Sequence, residues 1–303
     1  MTVSQRLTEP NSAGHACLSF DFDGPSLWMM RKMVTPAPVS RGEFGAIAVP
    51  RILRLLASRS LPATFFIPGH TIETYPDVCR MVVDAGCEVG LHGYAHEMNA
   101  LQSLDDERAA MTRSIELIEK LTDSRPIGYR APAGDLTNQT IELLIEHEVQ
   151  YDSSLMGDDY RPYRVRVGDE LPDKGPAQWG SESDLIELPW SWANDDYPYL
   201  EFVAFRRMIM PGLARPQDMF SNWLGDVRWM ARELHAGVLT LVLHPQVIGR
   251  GHRLLAFEEF IDTVLDHGVQ FNALADIAGA VGTGVEFATL RSDDSPGHGT
   301  LRV

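Results

Sequence analysis

The chain has 303 residues, 44% of them apolar, which is enough for one large domain or two small ones with a buried core. Asp and Glu (42) outnumber Lys and Arg (26), so the formal net charge is −16 and nucleic acid is a poor partner. No apolar run approaches the ~18 residues that a membrane span needs, and residues 1–10 lack the apolar core of a signal peptide. We therefore expect a soluble, cytoplasmic protein without a membrane partner. The three cysteines lie in apolar runs, which is typical of core thiols.

Short apolar runs alternate with helical patterns along most of the chain. The predicted strands cover residues 16–20, 63–68, 88–91, 127–129, 150–153, 185–188, 238–243 and 269–272. The predicted helices cover residues 47–57, 76–85, 105–121, 137–147, 217–235 and 254–267. This alternation indicates an α/β fold with a parallel sheet. Because no glycine-rich dinucleotide turn follows the first strand, the pattern favours a closed or nearly closed (β/α)7-8 TIM-like barrel.

The pattern predicts one domain, which we place at residues 16–281, between an N-terminal tail (1–15) and a C-terminal tail (282–303). Residues 156–183 break the alternation and are rich in Gly, Pro, Asp and Tyr. Long loops inside a compact domain are usually functional. Whether this one closes over a ligand is left open by the sequence.

Polar residues follow four of the predicted strands, at the end where barrel enzymes place their chemistry. They are Asp21 and Asp23 after the first strand, His92 and His96 after the third, Arg130 to Gly134 after the fourth, and His244 after the strand at 238–243. We therefore expect these groups to meet at one mouth of the barrel.

Asp21 and Asp23 are two residues apart, so in an extended strand both carboxylates face the mouth and Phe22 packs away from it. A divalent cation would compensate the two charges, one carboxylate binding it and the other serving as general base. The alternative is that Asp23 only caps the turn formed with Gly24 and Pro25.

His92 and His96 are four residues apart, so in a helical turn both imidazoles lie on one face, within reach of one metal ion. Two imidazoles and a carboxylate with an open position are typical of a catalytic metal site. The alternative is two unrelated histidines, one at a strand end and one on the surface.

Arg130 next to two carboxylates would orient one of them and keep it ionised, unless it is a surface arginine. The turn from Pro132 to Gly134 offers backbone N–H groups for an oxyanion hole. His244 follows a buried run and is either a general acid for a leaving amine or a histidine at the edge of the core.

Together these motifs resemble those of the polysaccharide deacetylases, the NodB-type carbohydrate esterases, over roughly residues 17–280. The matching segments are Ser19-Phe20-Asp21-Phe22-Asp23-Gly24-Pro25, Pro62-Ala63-Thr64-Phe65-Phe66, His92-xxx-His96, Arg130-x-Pro132-x-Gly134 and Leu243-His244-Pro245. The resemblance implies a distorted (β/α) barrel. It also implies that Asp23, His92 and His96 hold a divalent metal, most often zinc.

In the family scheme Asp21 is the base that activates water, Arg130 supports it, the backbone near Ala133 stabilises the oxyanion, and His244 protonates the departing nitrogen. An aspartate normally partners the final histidine. Three residues compete for that place in this sequence: Asp152, Asp195 and Asp196.

The chain departs from the usual family pattern in two places, because Phe22 separates the aspartates and Ala133 replaces an aromatic residue. It is more similar to a cytoplasmic subgroup that includes peptidoglycan deacetylases, allantoinase-like proteins and cyclic-imide hydrolases, which tend to form oligomers. Trp28 and Trp192 lie in or beside long loops and are candidates for a pocket wall, although both could equally be core or interface residues.

These observations lead to three functional hypotheses. The first is a metal-dependent hydrolase of non-peptide C–N bonds that acts on a small amide or an N-acetylated sugar as a homo-oligomer. The second is a ring-opening hydrolase of cyclic amides within the same family. The third is an inactive barrel that binds a sugar or another ligand, which the unusual Phe22 and Ala133 would favour.

Overall fold

A computed structural model describes residue 7 and residues 13–205, 208–210 and 212–291 of the chain. The strands, in chain order, are β1 (His15–Asp21), β2 (Thr64–Ile67), β3 (Glu88–Leu91), β4 (Gly128–Tyr129), β5 (Tyr151–Asp152), β6 (Tyr163–Val167), β7 (Ser181–Glu187), β8 (Val203–Phe205), β9 (Met208–Met210), β10 (Leu234–His235), β11 (Val238–Leu243), β12 (Gln270–Asn272) and β13 (Thr289–Leu290).

The α-helices surround this sheet and fill the intervals between strands. They are α1 (Ser26–Met30), α2 (Pro36–Ser58), α3 (Gly69–Thr74), α4 (Pro76–Asp84), α5 (Leu104–Thr122), α6 (Asn138–Glu146), α7 (Asp196–Leu200), α8 (Pro216–Glu233), α9 (Pro245–Ile248), α10 (Gly251–Asp266) and α11 (Leu274–Gly282). Among the described residues, no helix combines the length and apolar character needed to cross a membrane.

The main sheet runs in the order β11-β1-β2-β3-β4-β5-β7-β6, and β12 lies beside the start of β1. All of these pairings are parallel except that of β6 with β7. The sheet curls, and two backbone contacts link its ends: a bridge between Asp195 and Val242, and a hydrogen bond from Val238 N–H to Tyr160 O. The predicted distorted (β/α) barrel is therefore what the chain forms.

Burial on both faces explains the apolar character of the central strands. Every residue of β1 and β11 is buried, as expected for strands covered by helices on one side and by the barrel interior on the other. Within this core Phe20 stacks on Phe65 with 4.8 Å between ring centroids. The predicted start of α5 is also observed, because Ser103 accepts a hydrogen bond from the Asp106 amide. Helix α2 begins well before the predicted residue 47.

The segment 156–183 forms a hairpin of β6 and β7, which sequence patterns did not reveal. Residues 168–180 connect the end of β6 to the start of β7, and β7 is parallel to the barrel strands. The tip of the hairpin therefore lies at the opposite end of the sheet from the carboxyl ends of the strands. No part of the segment forms the wall of the pocket described below, so in this structure it is not a lid over that pocket.

Part of each predicted tail packs on the barrel. Strand β13 pairs with β10, and Phe287 and Ala288 before it are buried. At the other terminus Leu7 is buried and its carbonyl oxygen lies 2.9 Å from Nε2 of His15. The remainder of the predicted tails, residues 1–6, 8–12 and 292–303, lies outside the described residues.

Candidate active site

A cavity of about 60 Å³ lies at the carboxyl ends of the parallel strands. It opens where the strand-end motifs converge, as the barrel architecture requires. Most of the residues selected from the sequence form its wall, and His92 is buried directly behind it. The wall residues among them are Asp21, Asp23, His96, Arg130, Ala133, Trp192 and His244.

Asp23, His92 and His96 form a compact group of metal-ligand type. Asp23 Oδ1 lies 3.4 Å from His92 Nε2 and 3.8 Å from His96 Nε2. The expectation of a helical turn between His92 and His96 is wrong. Residues 93–95 form a tight turn instead, and His96 takes a left-handed conformation (φ 58°) that brings its ring to 5.1 Å from that of His92.

Hydrogen bonds fix the orientation of two members of this group. The carbonyl oxygen of Arg130 accepts a hydrogen bond from His92 Nδ1 (2.8 Å), which leaves Nε2 to face Asp23. Gln246 donates to Asp23 Oδ2 at 3.2 Å. Both Asp23 Oδ1 and His92 Nε2 are buried without a hydrogen-bond partner in the described part of the chain. These unsatisfied atoms fit a divalent cation, which would coordinate both.

The electrostatics of the three groups agree with that assignment. Burial lowers the pKa of His96 to about 4, so this ring is neutral, the form that binds metals. Burial also opposes protonation of His92, but Asp21 and Asp23 together raise its pKa above the ordinary value. The carboxylates of Asp21 and Asp23 thus favour a positive charge at the position of His92.

Asp21 is held beside this group by Arg130, whose guanidinium is buried. Arg130 Nη1 donates to Asp21 Oδ1 (3.0 Å) and to Ser19 Oγ (2.7 Å), while Ser153 accepts from Nε and Nη2. The second carboxylate oxygen of Asp21 faces the pocket, 3.8 Å from His92 Nε2 and 4.0 Å from His244 Nε2. The ion pair with Arg130 thus engages one carboxylate oxygen of Asp21 and leaves the other facing the pocket.

The structure identifies Asp196 as the hydrogen-bonded partner of His244. The Nδ1 atom of His244 lies 2.8 Å from Asp196 Oδ1, and its backbone N–H also donates to this carboxylate. Asp195 is farther away, with Oδ1 at 3.7 Å from the same nitrogen. Burial lowers the pKa of His244, but Asp195 and Asp196 outweigh burial and raise this pKa to about 10. His244 is therefore protonated at neutral pH, with Nε2 directed towards Asp21. Asp152 lies elsewhere, next to Glu187 on the neighbouring strand.

The turn after β4 exposes backbone to the pocket at Ala133. This residue takes a left-handed conformation (φ 56°, ψ 21°), an uncommon one for a residue with a Cβ. The hydrogen bonds that stabilise the turn are donated by the amides of Gly134, Asp135 and Leu136. The Ala133 amide does not take part in them, and Ala133 is one of the residues that line the cavity.

Of the two tryptophans selected from the sequence, only Trp192 lines the pocket. Trp28 is almost fully buried, and the guanidinium of Arg41 lies 4.7 Å above its ring. Trp28 is a core residue of α1, and its neighbour Leu27 lines the cavity.

Sequence reasoning missed four residues of the site. Gln246 follows His244-Pro245 directly, and a polar residue at that strand end was a usable signal. Tyr197 adjoins the Asp195-Asp196 pair, whose acidity could have drawn attention to it. The sequence around Leu27 and Arg31 offered no such signal. The missed residues are Leu27, Arg31, Tyr197 and Gln246.

Comparisons with known proteins identify the class. Residues 13–151 match the family model for polysaccharide deacetylases. A peptidoglycan deacetylase of Helicobacter pylori is 39% identical over 257 residues, which are 80% of this chain and 87% of that protein. The chain therefore belongs to the polysaccharide deacetylase family, a family of hydrolases that act on C–N bonds.

Two solved structures are similar to this chain over most of its length. One, from Mycobacterium smegmatis and assigned to the polysaccharide deacetylases, has a TM-score of 0.79 and 30% identity and covers 94% of this chain and 96% of its own. The other, Puue allantoinase, has a TM-score of 0.72 and covers 92% of this chain and 93% of its own. Its identity to this chain is 21%, so this likeness concerns the fold.

Proposed function

We propose that this protein is a metal-dependent hydrolase of non-peptide C–N bonds. The observation that carries the proposal is the pair of buried atoms without hydrogen-bond partners, Asp23 Oδ1 and His92 Nε2, at a cavity that also holds a carboxylate and an imidazolium. Two imidazoles and one carboxylate are a donor set that suits zinc, which is the metal we propose. When bound, such a cation acts as a Lewis acid and activates water.

The groups around the metal ligands have complementary protonation states. Asp21, paired with Arg130, has a free carboxylate oxygen to take up a proton from water. His244, held by Asp196, carries a proton at neutral pH and delivers it to the departing nitrogen. The Ala133 N–H is available to the oxygen of the amide as negative charge develops there.

The cavity has room for a small reacting group of a substrate, the rest of which can lie outside it. A volume of about 60 Å³ admits an acetyl group or the edge of a small ring. We propose an N-acetylated sugar or a small soluble amide as substrate. Ring opening of a cyclic amide is the second candidate, because the same base and acid serve it. A cytoplasmic location and a homo-oligomeric state remain predictions.

The metal site is tested by metal analysis of the purified protein and of two variants, Asp23→Ala and His92→Ala. We expect each variant to lose the metal and to lose turnover by at least about a thousand-fold, because the Lewis acid is removed. Ser58→Ala, which changes an exposed hydroxyl on α2, serves as the matched control. Undiminished metal content in both ligand variants would contradict the assignment.

The reaction is tested with a panel of acetylated amino sugars, allantoin, hydantoins and succinimide. We expect hydrolysis of at least one of them by the metal-loaded protein, and turnover lower by about 10²–10⁴-fold in the Asp21→Asn variant, since its amide cannot act as base. If the loaded protein binds these compounds and hydrolyses none, the inactive-barrel hypothesis replaces the proposal.

A further inference from the structure

Arg31 follows helix α1 and contributes its guanidinium to the wall of the active-site cavity. One of its nitrogens donates to the Tyr197 hydroxyl at 3.1 Å. The guanidinium lies 5.5 Å from the Tyr197 ring and 5.7 Å from the Trp28 ring, so two aromatic side chains support it from the protein side. Its side chain is half-buried.

The other guanidinium groups near the cavity have carboxylate partners. Arg130 is paired with Asp21, and Arg41, which lies over the same Trp28 ring, is paired with Glu201. For Arg31, no carboxylate lies within ion-pair distance among the described residues. A guanidinium has five N–H donors, and the bond to Tyr197 uses one of them.

The carboxylates of the cavity do not neutralise Arg31, because each is engaged elsewhere. Asp21 is bound by Arg130, Asp23 faces the two histidines, and Asp195 lies beside His244. Arg31 therefore adds a positive charge without an ion-pair partner among the described residues to the wall of the same cavity. A substrate bound in this cavity meets that charge.

We infer that Arg31 binds an anionic group of the substrate, so that the preferred substrates are amides that carry a carboxylate or a phosphate near the scissile bond. Both groups have oxygens that match the planar fork of a guanidinium. This inference rests on the proposed function, because it assigns the substrate class of the same site.

The test compares the binding of neutral and anionic compounds that share one scaffold. The first set is N-acetylglucosamine, its 6-phosphate, and N-acetylmuramic acid, which adds a carboxylate to the same sugar. The second is N-acetylglycinamide and N-acetylglycine. Affinities are measured by calorimetry on the metal-loaded Asp21→Asn protein, which retains the pocket but lacks the base.

We expect at least one anionic compound to bind about ten-fold or more tightly than its neutral counterpart, as charge-assisted hydrogen bonds allow. Arg31→Gln abolishes this preference and Arg31→Lys retains part of it. Arg41→Gln, which removes a neighbouring charge that does not line the cavity, leaves most of the preference intact. Which anionic sugar gains affinity distinguishes a carboxylate from a phosphate.

Three results would overturn the inference: equal binding of neutral and anionic compounds, a preference that survives Arg31→Gln, or no measurable binding of any anionic compound. Turnover by the metal-loaded protein with Asp21 intact is measured separately. An anion preference without hydrolysis would count against the proposed reaction and leave the role of Arg31 standing. Hydrolysis without an anion preference would support the proposed reaction and contradict the role of Arg31.

Discussion

Two of the pairs of carboxyl groups near the same end of the sheet, Asp21 with Asp23 and Asp152 with Glu187, differ in what surrounds them. Asp21 and Asp23 lie at the end of β1 among positively charged or proton-accepting groups, namely Arg130 and three histidines. Asp152 and Glu187 are register neighbours on β5 and β7 and are fully buried. No Arg, Lys or His lies within ion-pair distance of the second pair among the described residues.

The second pair is satisfied by hydrogen bonds instead of by charge. Glu187 Oε1 accepts from the amides of Ser154 and Leu155, and Asp152 Oδ1 accepts from the Ser154 hydroxyl. The second oxygens of the two carboxyls, Asp152 Oδ2 and Glu187 Oε2, accept no hydrogen bond from the described residues. Burial raises the pKa of both carboxyls, that of Glu187 well above its usual range. The raised pKa of Glu187 favours its protonated form.

The comparison shows that the surroundings decide the role of an acidic pair. Arg130 and the histidines surround the first pair, whereas burial raises the pKa of both members of the second pair. The second pair is structural: through Ser153 and Ser154 it orders the segment that binds Arg130 and the Ala131 amide.

The largest expected effect is on turnover. Asp21→Asn is expected to lower turnover by about 10²–10⁴-fold while the metal stays bound, because a general base is lost and the ligands are intact. Asp152→Asn, the equivalent change in the other pair, should leave turnover within a few-fold. Kinetics and metal content measured on both variants check this. Comparable losses of turnover in the two variants would contradict a catalytic role for Asp21 and a structural role for Asp152.

The second prediction concerns the pH dependence of stability. Above the ordinary carboxyl pKa of about 4, the unfolded chain releases protons that the folded Asp152–Glu187 pair retains. The free energy of unfolding contributed by the pair therefore falls as pH rises, by up to about 1.4 kcal/mol per pH unit for one retained proton, until the folded pair ionises.

Urea unfolding from pH 5 to pH 8 measures this effect against the double variant Asp152→Asn/Glu187→Gln, whose amides do not titrate. We expect the stability of the natural protein relative to the variant to decline with pH. A difference that is constant across this range would mean that the pair does not retain a proton.

The smallest effect is predicted for Ser154, which links the buried Asp152–Glu187 pair to the backbone of Ala131 beside the cavity. Ser154 donates to Asp152 and accepts from the Ala131 amide at 2.8 Å. Ser154→Ala leaves that buried N–H unsatisfied, so we expect a loss of about 1–2 kcal/mol in the free energy of unfolding. Ser58→Ala on the exposed face of α2 should change it by less than about 0.5 kcal/mol. Equal effects of the two substitutions in chemical denaturation would contradict the link.

The strands and the strand-end residues were accessible to sequence analysis because apolar runs and their polar boundaries are local features. Asp21, Asp23, Arg130 and His244 meet at the cavity, with His92 next to Asp23 behind its wall, for that reason. The pattern did not show how they would meet. The left-handed conformation of His96, the choice of Asp196 over Asp195 and the position of Arg31 depend on contacts between distant segments, which no spacing rule encodes.

The bridge between Asp195 and Val242, which links the two ends of the sheet, has a consequence for thermal behaviour. Asp196 follows that bridge directly, so the same backbone link sets its distance from His244. Local opening of a short link costs less free energy than global unfolding. Warming is therefore expected to separate His244 from Asp196 while Asp23, His92 and His96 stay in place. Activity would then decline before helical structure melts, and hydrogen exchange would be fastest along this link.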